Sequence, residues 1–204
     1  MSEINLTLFE KHVPQEAVAY CFQLWKTSDF RFKITRKRNT KLGDYRFSPE
    51  KGHQITVNQN LNKYSFLITF LHEVAHYQVV TTYKKNKLPH GKEWKNRFAQ
   101  LAAPVLNESI FPKEILNPLQ LYMQNPKASS CSDPTLMNAL RLFNTNEEKI
   151  TLLADLQIGE TFRLNRRVFR KGEKRRTRAL CEELSSRKKY LISVMAEVET
   201  DLAS

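Results

Sequence analysis

One motif, His72-Glu73-Val74-Ala75-His76, lies in the middle of residues 63–85, a segment that contains neither Gly nor Pro. Apolar residues cover most of the helical circumference of this segment, which predicts a buried α-helix. Residues four apart project from the same face of a helix, so the imidazoles of His72 and His76 can converge on one ion. Glu73 can then reach a water molecule bound to that ion. The chain must therefore fold around a helix that carries polar groups inside an apolar core.

Two interpretations of this motif are open. The three polar residues could be hydrogen-bonded groups of a buried helix without a ligand. Burying two imidazoles and a carboxylate among Phe70, Leu71 and Val74 would then cost free energy unless each found a partner. A bound metal ion accounts for all three residues at once, and the sequence therefore favours a zinc site.

A catalytic zinc ion takes three protein ligands and keeps one position open for water. The third ligand must come from elsewhere in the chain, and the candidates are His90, one glycine before the next predicted helix, and Glu93, in the first turn of that helix. A metzincin would need Gly at position 79 and His at position 82, where this chain has Val79 and Thr82, so that class is excluded. We expect one zinc ion per chain.

The other patterns predict an α+β protein. Residues 14–26 have apolar positions at three-to-four spacing and form a predicted N-terminal helix. The segments FRFKITRKR, DYRFS and HQITVNQ alternate and predict a small antiparallel sheet. The motif helix should pack on the helix that follows it. The exposed face of the sheet would carry Arg31, Lys33, Arg36 and Arg38. This face is either a solvated surface or a contact for nucleic acid.

The chain beyond residue 110 is predicted to form two further parts. Residues 111–158 contain Pro112, Pro118 and Pro126 and are interpreted as a connecting segment with short helices. Residues 159–204 contain three segments with strand patterns separated by two turns, which predicts a three-stranded antiparallel β-meander. We expect residues 1–110 to form the first domain.

Positive charge dominates the composition, with 33 Lys and Arg against 21 Asp and Glu and a formal net charge of +12. Most of the excess lies in the predicted meander, which is either a solvated basic surface or a contact for nucleic-acid phosphates. Phe162, Phe169 and Tyr190 would be available for base stacking. The candidate phosphate contacts are Arg166, Arg167, Lys174, Arg175 and Arg176.

The three cysteines, Cys21, Cys131 and Cys181, are widely separated and form neither a disulfide framework nor a Cys-x-x-Cys pair. A reducing compartment is therefore expected. The N-terminus lacks the form of a signal peptide, and the longest apolar stretch, residues 66–71, is too short to span a bilayer. The sequence predicts a cytoplasmic protein without a membrane partner.

The segments LHEVAHYQVV and HGKEWKNRFAQL together resemble the SprT-like domain, which bacterial SprT proteins share with the Spartan DNA–protein crosslink proteases. TRKRNTKLGDYRF and ITVNQNL also resemble the basic strand pair that precedes the active-site helix in that family. The resemblance covers roughly residues 14–105. It implies a zincin-like domain in which His72, His76 and His90 bind zinc and Glu73 is the catalytic glutamate.

Many members of that family carry a C-terminal zinc ribbon with paired Cys-x-x-Cys motifs, which the isolated Cys131 and Cys181 cannot build. We therefore expect no second zinc ion, and the basic meander in place of the ribbon.

The activity implied by the resemblance is that of a zinc metallopeptidase with protein or peptide substrates, and DNA-bound proteins are candidates among them. Glu73 would take a proton from the zinc-activated water and pass it to the leaving amine. An oxyanion stabiliser is also expected, and spacing does not choose among Tyr77, Tyr83 and nearby Arg or Lys residues. The alternatives are a non-enzymatic nucleic-acid-binding protein with a structural zinc and a hydrolase that cleaves another kind of bond.

Overall fold

The computed structural model of the protein describes residues 2–38, 41–83, 87–127, 133–144 and 151–200, with side chains from residue 6 onward. The chain divides into two compact units, Met1–Thr145 and Asn146–Ser204, and each is described by itself. Helices and sheets are both present, so the predicted α+β class is confirmed.

The first unit combines helices with one small sheet. Its α-helices are α1 (Ser2–His12), α2 (Val18–Lys26), α3 (Lys63–Tyr83), α4 (Lys92–Ala102), α5 (Lys113–Gln124) and α6 (Pro134–Arg141). Its strands are β1 (Phe30–Thr35), β2 (Gly43–Ser48) and β3 (Gly52–Asn58). Short 3₁₀ turns precede α2 and follow α4. The predicted helix of residues 14–26 is thus a 3₁₀ turn continued by α2, and the motif helix is α3. Helix α1 was not predicted from the sequence.

The strands of the first sheet lie in the order β1-β3-β2. β2 pairs with β3 in antiparallel orientation, whereas β1 pairs with β3 in parallel, so the prediction of an antiparallel sheet is wrong for that pair. The reason lies in β3, whose last five residues are all buried. A strand buried on both faces belongs in the centre of a sheet, so β1 pairs with β3 and not with its neighbour in sequence, β2.

Helix α3 is fixed to the sheet and to α1 by aromatic packing. The ring of Phe70 lies 5.2 Å from that of Phe9, 6.5 Å from that of Phe30 and 5.1 Å from that of Phe32, measured between centroids. Most of α3 is buried, as the apolar circumference of its sequence predicted. The His-Glu-x-x-His motif is therefore carried by a largely buried helix.

Helices α5 and α6 belong to the first unit, although the sequence placed them in a connecting segment. Ile115, Leu119, Leu136 and Leu140 are buried in the same core as α3. The prolines predicted irregular structure, but Pro118 lies in the second turn of α5. The carbonyl group that its missing N–H would have bonded belongs to the exposed first turn, where water can satisfy it.

The second unit contains a two-stranded and a four-stranded sheet. β4 (Thr151–Leu152) pairs with β9 (Glu197–Val198). The larger, antiparallel sheet has its strands in sequence order: β5 (Thr161–Leu164), β6 (Arg167–Arg175), β7 (Arg178–Glu183) and β8 (Lys189–Ser193). The sequence predicted three strands where the structure has four. Asn165 and Arg166, with φ of 50° and 65°, form a two-residue turn that divides the first predicted strand in two.

A β-bulge interrupts the pairing of β6 with β7 between Lys171 and Lys174. At its centre, a Cβ atom on Gly172 would lie 2.2 Å from the carbonyl oxygen of Leu180, so only glycine fits. The core of this unit includes Phe162, Phe169 and Cys181.

Cys21 and Cys181 are buried free thiols, and Cys131 lies outside the described residues. None of the described helices combines the length and the apolarity needed to cross a membrane.

Candidate metal centre

Three histidines converge in the first unit. His72 and His76 lie on one face of α3, and His90 directly precedes Gly91, the N-cap residue of α4. The Nε2 atoms of His72 and His76 are 3.2 Å apart, those of His76 and His90 are 3.0 Å apart, and those of His72 and His90 are 3.4 Å apart. Among the described residues this is the group of His, Cys, Asp or Glu side chains that could hold a metal ion.

The spacing of these nitrogens fits a tetrahedral zinc ion. With Zn–N bonds of about 2.0–2.1 Å, three ligand nitrogens of a tetrahedron stand about 3.3–3.4 Å apart. Burial lowers the pKa of His72 to about 3 and that of His76 to about 4, with the neighbouring imidazoles contributing. Neutral imidazoles are the form that binds metal ions. The donor set therefore fits the ion that the sequence predicted.

Trp94 holds the three histidines in place. The buried indole ring lies 4.6 Å from the ring of His72, 5.3 Å from that of His76 and 4.7 Å from that of His90, measured between centroids. Its Nε1 donates a hydrogen bond to the carbonyl oxygen of His72 at 3.4 Å. Phe98 stacks on the indole ring one turn later. The sequence signal for this support is a tryptophan four residues after His90.

Glu93, the rival ligand, lies in a different contact. Its Oε1 accepts a hydrogen bond from Nζ of Lys87 at 2.7 Å, and this bond is the main cause of a lowered pKa of the Glu93 carboxyl. Glu93 is therefore absent from the cluster of possible metal ligands found among the described residues.

Glu73 is 7% exposed and lies beside the histidines at the floor of a cleft. Burial raises the pKa of its carboxyl to about 8, and the nearby Asp44 carboxylate adds to this increase. A hydrogen bond from the backbone N–H of Tyr45 and the positive charges of Arg38 and Lys41 oppose it. A cation bound by the histidines would also favour the ionised form.

Strand β2 lies very close to α3 at Gly43. A Cβ atom at this position would lie 2.6 Å from Cγ2 of Thr69, 2.7 Å from Oε1 of Glu73 and 2.8 Å from Cγ of Glu73. Only glycine allows the strand to approach this near, and the approach lets the Tyr45 N–H reach the Glu73 carboxylate. Gly43 was not identified from the sequence, although a glycine next to a predicted strand can indicate a close backbone approach.

Arg38 is folded onto the sheet and does not lie on its exposed face as predicted. Its Nε donates to Oδ1 of Asn58 at 2.8 Å and its Nη1 donates to Oγ1 of Thr56 at 3.1 Å. Nδ2 of Asn58 donates in turn to the carbonyl oxygen of Lys41 at 2.9 Å. This network fixes the chain that leads into β2. Asn58, the buried last residue of β3, was the available signal.

The cleft above Glu73 has a volume of about 610 Å³. Its floor consists of the three histidines and Glu73, and β2 supplies one wall through Gly43, Asp44 and Tyr45. Another wall comes from the end of α3 and the α3–α4 connection, with Val79, Val80, Tyr83, Lys87, Leu88 and Pro89.

The two tyrosines named as oxyanion candidates are placed differently. The hydroxyl of Tyr77, a buried residue, accepts a hydrogen bond from the backbone N–H of Asp29 at 2.9 Å, and Tyr77 does not line the cleft. Tyr83 does line it. Tyr45 also lines the cleft, but its hydroxyl is hydrogen-bonded to Nδ1 of His53 at 2.8 Å. Tyr83 is therefore the better placed of the two predicted candidates.

The basic residues of the second unit lie at opposite ends of one strand. Arg166 and Arg167 are at the start of β6, and Lys174, Arg175 and Arg176 are at its end. Eight residue steps of a strand span roughly 26 Å, so the five residues do not form one patch. All five are exposed.

Arg167 already has partners within the second unit. Its guanidinium forms an ion pair with Glu183 and lies over the rings of Tyr190, at 4.5 Å, and Phe169, at 5.1 Å. Phe162 and Phe169 are buried in the core, so the expectation that they are available for base stacking is wrong. They sit on the inner face of the sheet, where the alternation of the strands places them.

Comparison with models of protein families matches residues 8–112 to the SprT-like family. The match begins within α1 and ends just before α5, and it contains the three histidines, Glu73 and Trp94. Comparisons with curated proteins and with solved structures give no match.

Proposed function

Because the chain belongs to the SprT-like family, we propose that it is a zinc-dependent metallopeptidase with a zincin-like catalytic domain. It binds one zinc ion through His72, His76 and His90 and uses Glu73 as general base. The observation that carries this proposal is the convergence of three imidazole nitrogens, within 3.4 Å of one another, beside a buried carboxylate on the floor of one cleft.

A bound zinc ion would supply a Lewis acid that polarises the scissile carbonyl and makes water acidic enough to attack near neutral pH. Glu73 accepts a proton from the water molecule as its oxygen forms a new C–O bond with the scissile carbonyl carbon. Glu73 then delivers this proton to the nitrogen of the leaving amine, and the C–N bond breaks. The Tyr45 N–H orients the carboxylate for this transfer. Trp94 keeps the imidazoles in register, and Tyr83 is the candidate donor to the developing oxyanion.

The test compares the wild-type full chain with Glu73→Gln, each loaded with one equivalent of zinc, on an unfolded protein substrate. The wild type should cleave the substrate, lose activity with a chelator and regain it with zinc. The Gln variant should retain zinc content and thermal stability but lose activity, since Glu73 acts on water and is not a ligand. Wild-type turnover in the Gln variant would contradict the assigned role.

A second proposal is contact of the second unit with DNA phosphates. Arg175 and Arg178 are directly opposite each other at the end of the β6–β7 hairpin, next to Lys174 and Arg176. Like charges in this position destabilise a hairpin, and no ion pair joins these four residues to another described residue. A polyanion would relieve the repulsion.

Fluorescence anisotropy with a single-stranded oligonucleotide tests this contact. Replacing Lys174, Arg175 and Arg176 by Ser should weaken binding and flatten its salt dependence. Replacing Arg166 by Ser, at the other end of β6, is the control with a smaller effect. Unchanged affinity and salt slope in the triple variant would make the hairpin a solvated surface. DNA binding without any cleavage by the zinc-loaded wild type would instead favour the non-enzymatic alternative with a structural zinc.

We further propose a reducing, cytoplasmic environment. The support is the separation of the three cysteines in sequence and the burial of the two that are described, Cys21 and Cys181, as free thiols.

A further inference from the structure

The wall of the cleft formed by the end of α3 and the α3–α4 connection contains four apolar residues, called the apolar wall below, and is partly exposed. Val80 is 44% exposed, Tyr83 is 45% exposed and Leu88 is 76% exposed, with the buried Val79 beside them. Contiguous exposed apolar residues on a protein surface commonly mark a binding site. Here they share one cleft with the histidines and Glu73.

This apolar wall lies within a few substrate residues of the candidate metal centre. Val79, Val80 and Tyr83 follow His76 by three, four and seven positions, so they continue the helix face that carries the histidines. Seven residues of α-helix extend about 10 Å, which equals about three residues of an extended peptide. Leu88 approaches from the α3–α4 connection, two residues before His90. A side chain next to a scissile bond held over Glu73 is therefore within reach of the wall.

Apart from Glu73 on the floor, the charged residues that line the cleft already have ion-pair partners. Nζ of Lys87 is 2.7 Å from Glu93, and Lys87 also lies over the ring of Tyr83. Asp44, on the β2 wall, is 2.8 Å from Nζ of Lys41. Lys87 and Asp44 are thus each paired with a neighbouring residue, so neither wall offers an unpaired charge that would bind a charged side chain of the substrate. What remains for recognition is apolar contact.

We propose that Val79, Val80, Tyr83 and Leu88 form a binding site for an apolar side chain of the substrate, so that the protein cleaves unfolded polypeptide beside apolar residues. This inference rests on the proposed peptidase function. Folded proteins bury most of their large apolar side chains, whereas unfolded segments expose them. The site thus favours unfolded substrates, because only these expose an apolar side chain next to the bond that is cleaved.

Mapping of cleavage sites by mass spectrometry tests the inference on a reduced and alkylated unfolded protein. Leu, Ile, Val, Phe and Met should occur within two residues of the cleaved bond about tenfold more often than Asp, Glu, Gly or Ser at equal abundance. The variant Val80→Ser/Leu88→Ser should lose this preference. The control is Leu121→Ser on α5, which removes a leucine that is 65% exposed but does not line the cleft, and which should keep the preference.

A binding measurement separates this inference from the proposed function. The zinc-loaded Glu73→Gln chain is titrated with a fluorescent Gly/Ser decapeptide that carries one central Leu, and with the same peptide carrying Ala. The Leu peptide should bind about tenfold more tightly, and Val80→Ser/Leu88→Ser should remove the difference. Absence of cleavage by the wild type would refute the peptidase. Equal affinities for the two peptides, or cleavage that ignores apolar residues, would refute the apolar site.

Discussion

Replacing Gly43 by Ala introduces a methyl group at the point where β2 meets α3. The new Cβ would lie 2.6–2.8 Å from Thr69 and Glu73, whereas carbon atoms in favourable contact are about 3.5–4.0 Å apart. Relief of the clash requires a movement of about 1 Å by the strand or by the Glu73 side chain. Overpacking of this kind lowers the free energy of unfolding by about 1–3 kcal/mol.

The catalytic effect should exceed the effect on stability. A misplacement of about 1 Å at a reacting group costs about 100-fold in rate, so we expect kcat of Gly43→Ala to fall by about that factor. The KM should change much less, because the apolar wall is untouched. Initial rates at several peptide concentrations give both constants, and metal analysis and denaturant unfolding show whether zinc and fold are retained.

Ser48→Ala, at the other end of β2 and outside the cleft, is the matched control and should keep kcat near the wild-type value. Wild-type kcat in Gly43→Ala with zinc retained would refute the reasoning. It would mean that the strand absorbs the methyl group and does not position Glu73.

Metal analysis should find that His90→Ala loses zinc while Glu93→Ala keeps it, and the reverse result would transfer the third ligand to Glu93. Trp94→Phe should weaken zinc binding by about tenfold in a chelator competition assay, because the indole contacts all three imidazoles, and unchanged affinity would show that the ring is dispensable. Hydrogen bonds from Arg167 and Ser186 lower the pKa of the Glu183 carboxyl from 4.5 to about 2. The ionised carboxylate therefore stabilises the fold above pH 4.5, and this contribution is lost as the pH falls through about 2. Glu183→Gln should therefore lower the unfolding temperature at pH 7, in calorimetry of the full chain, with the difference vanishing toward pH 2; a difference independent of pH would exclude the charge as its cause.

The sequence predicted the parts of the fold and site that depend on local periodicity. The spacing of His72 and His76 on a helix follows from 3.6 residues per turn, whereas His90 was preferred over Glu93 only through the resemblance of its motif to that of the SprT-like family. The exposed basic residues at the ends of β6 were also found from composition alone, although their separation was not.

The features that the sequence did not predict depend on contacts between distant segments. The parallel pairing of β1 with β3 follows from the burial of β3 on both faces, which no neighbour in sequence reveals. The place of Arg38 depends on Asn58, twenty residues later. The turn at Asn165-Arg166, which divides a predicted strand, requires a positive φ at an arginine. Positive φ favours Gly or Asn, so an arginine at this position does not indicate a turn in the sequence.

The packing of α5 and α6 in the same core as α3 has a practical consequence for how the protein can be shortened. The family match ends at residue 112, but Val105, Phe111 and the buried residues of α3 share one core with Ile115, Leu119 and Leu136 beyond it. Asn62, just before α3, also bonds the carbonyl oxygen of Leu140 at 2.8 Å. A protein truncated at the family boundary would present this apolar surface to solvent and aggregate. The smallest stable unit that contains the candidate metal centre should therefore extend to about residue 144, beyond the residues that match the family.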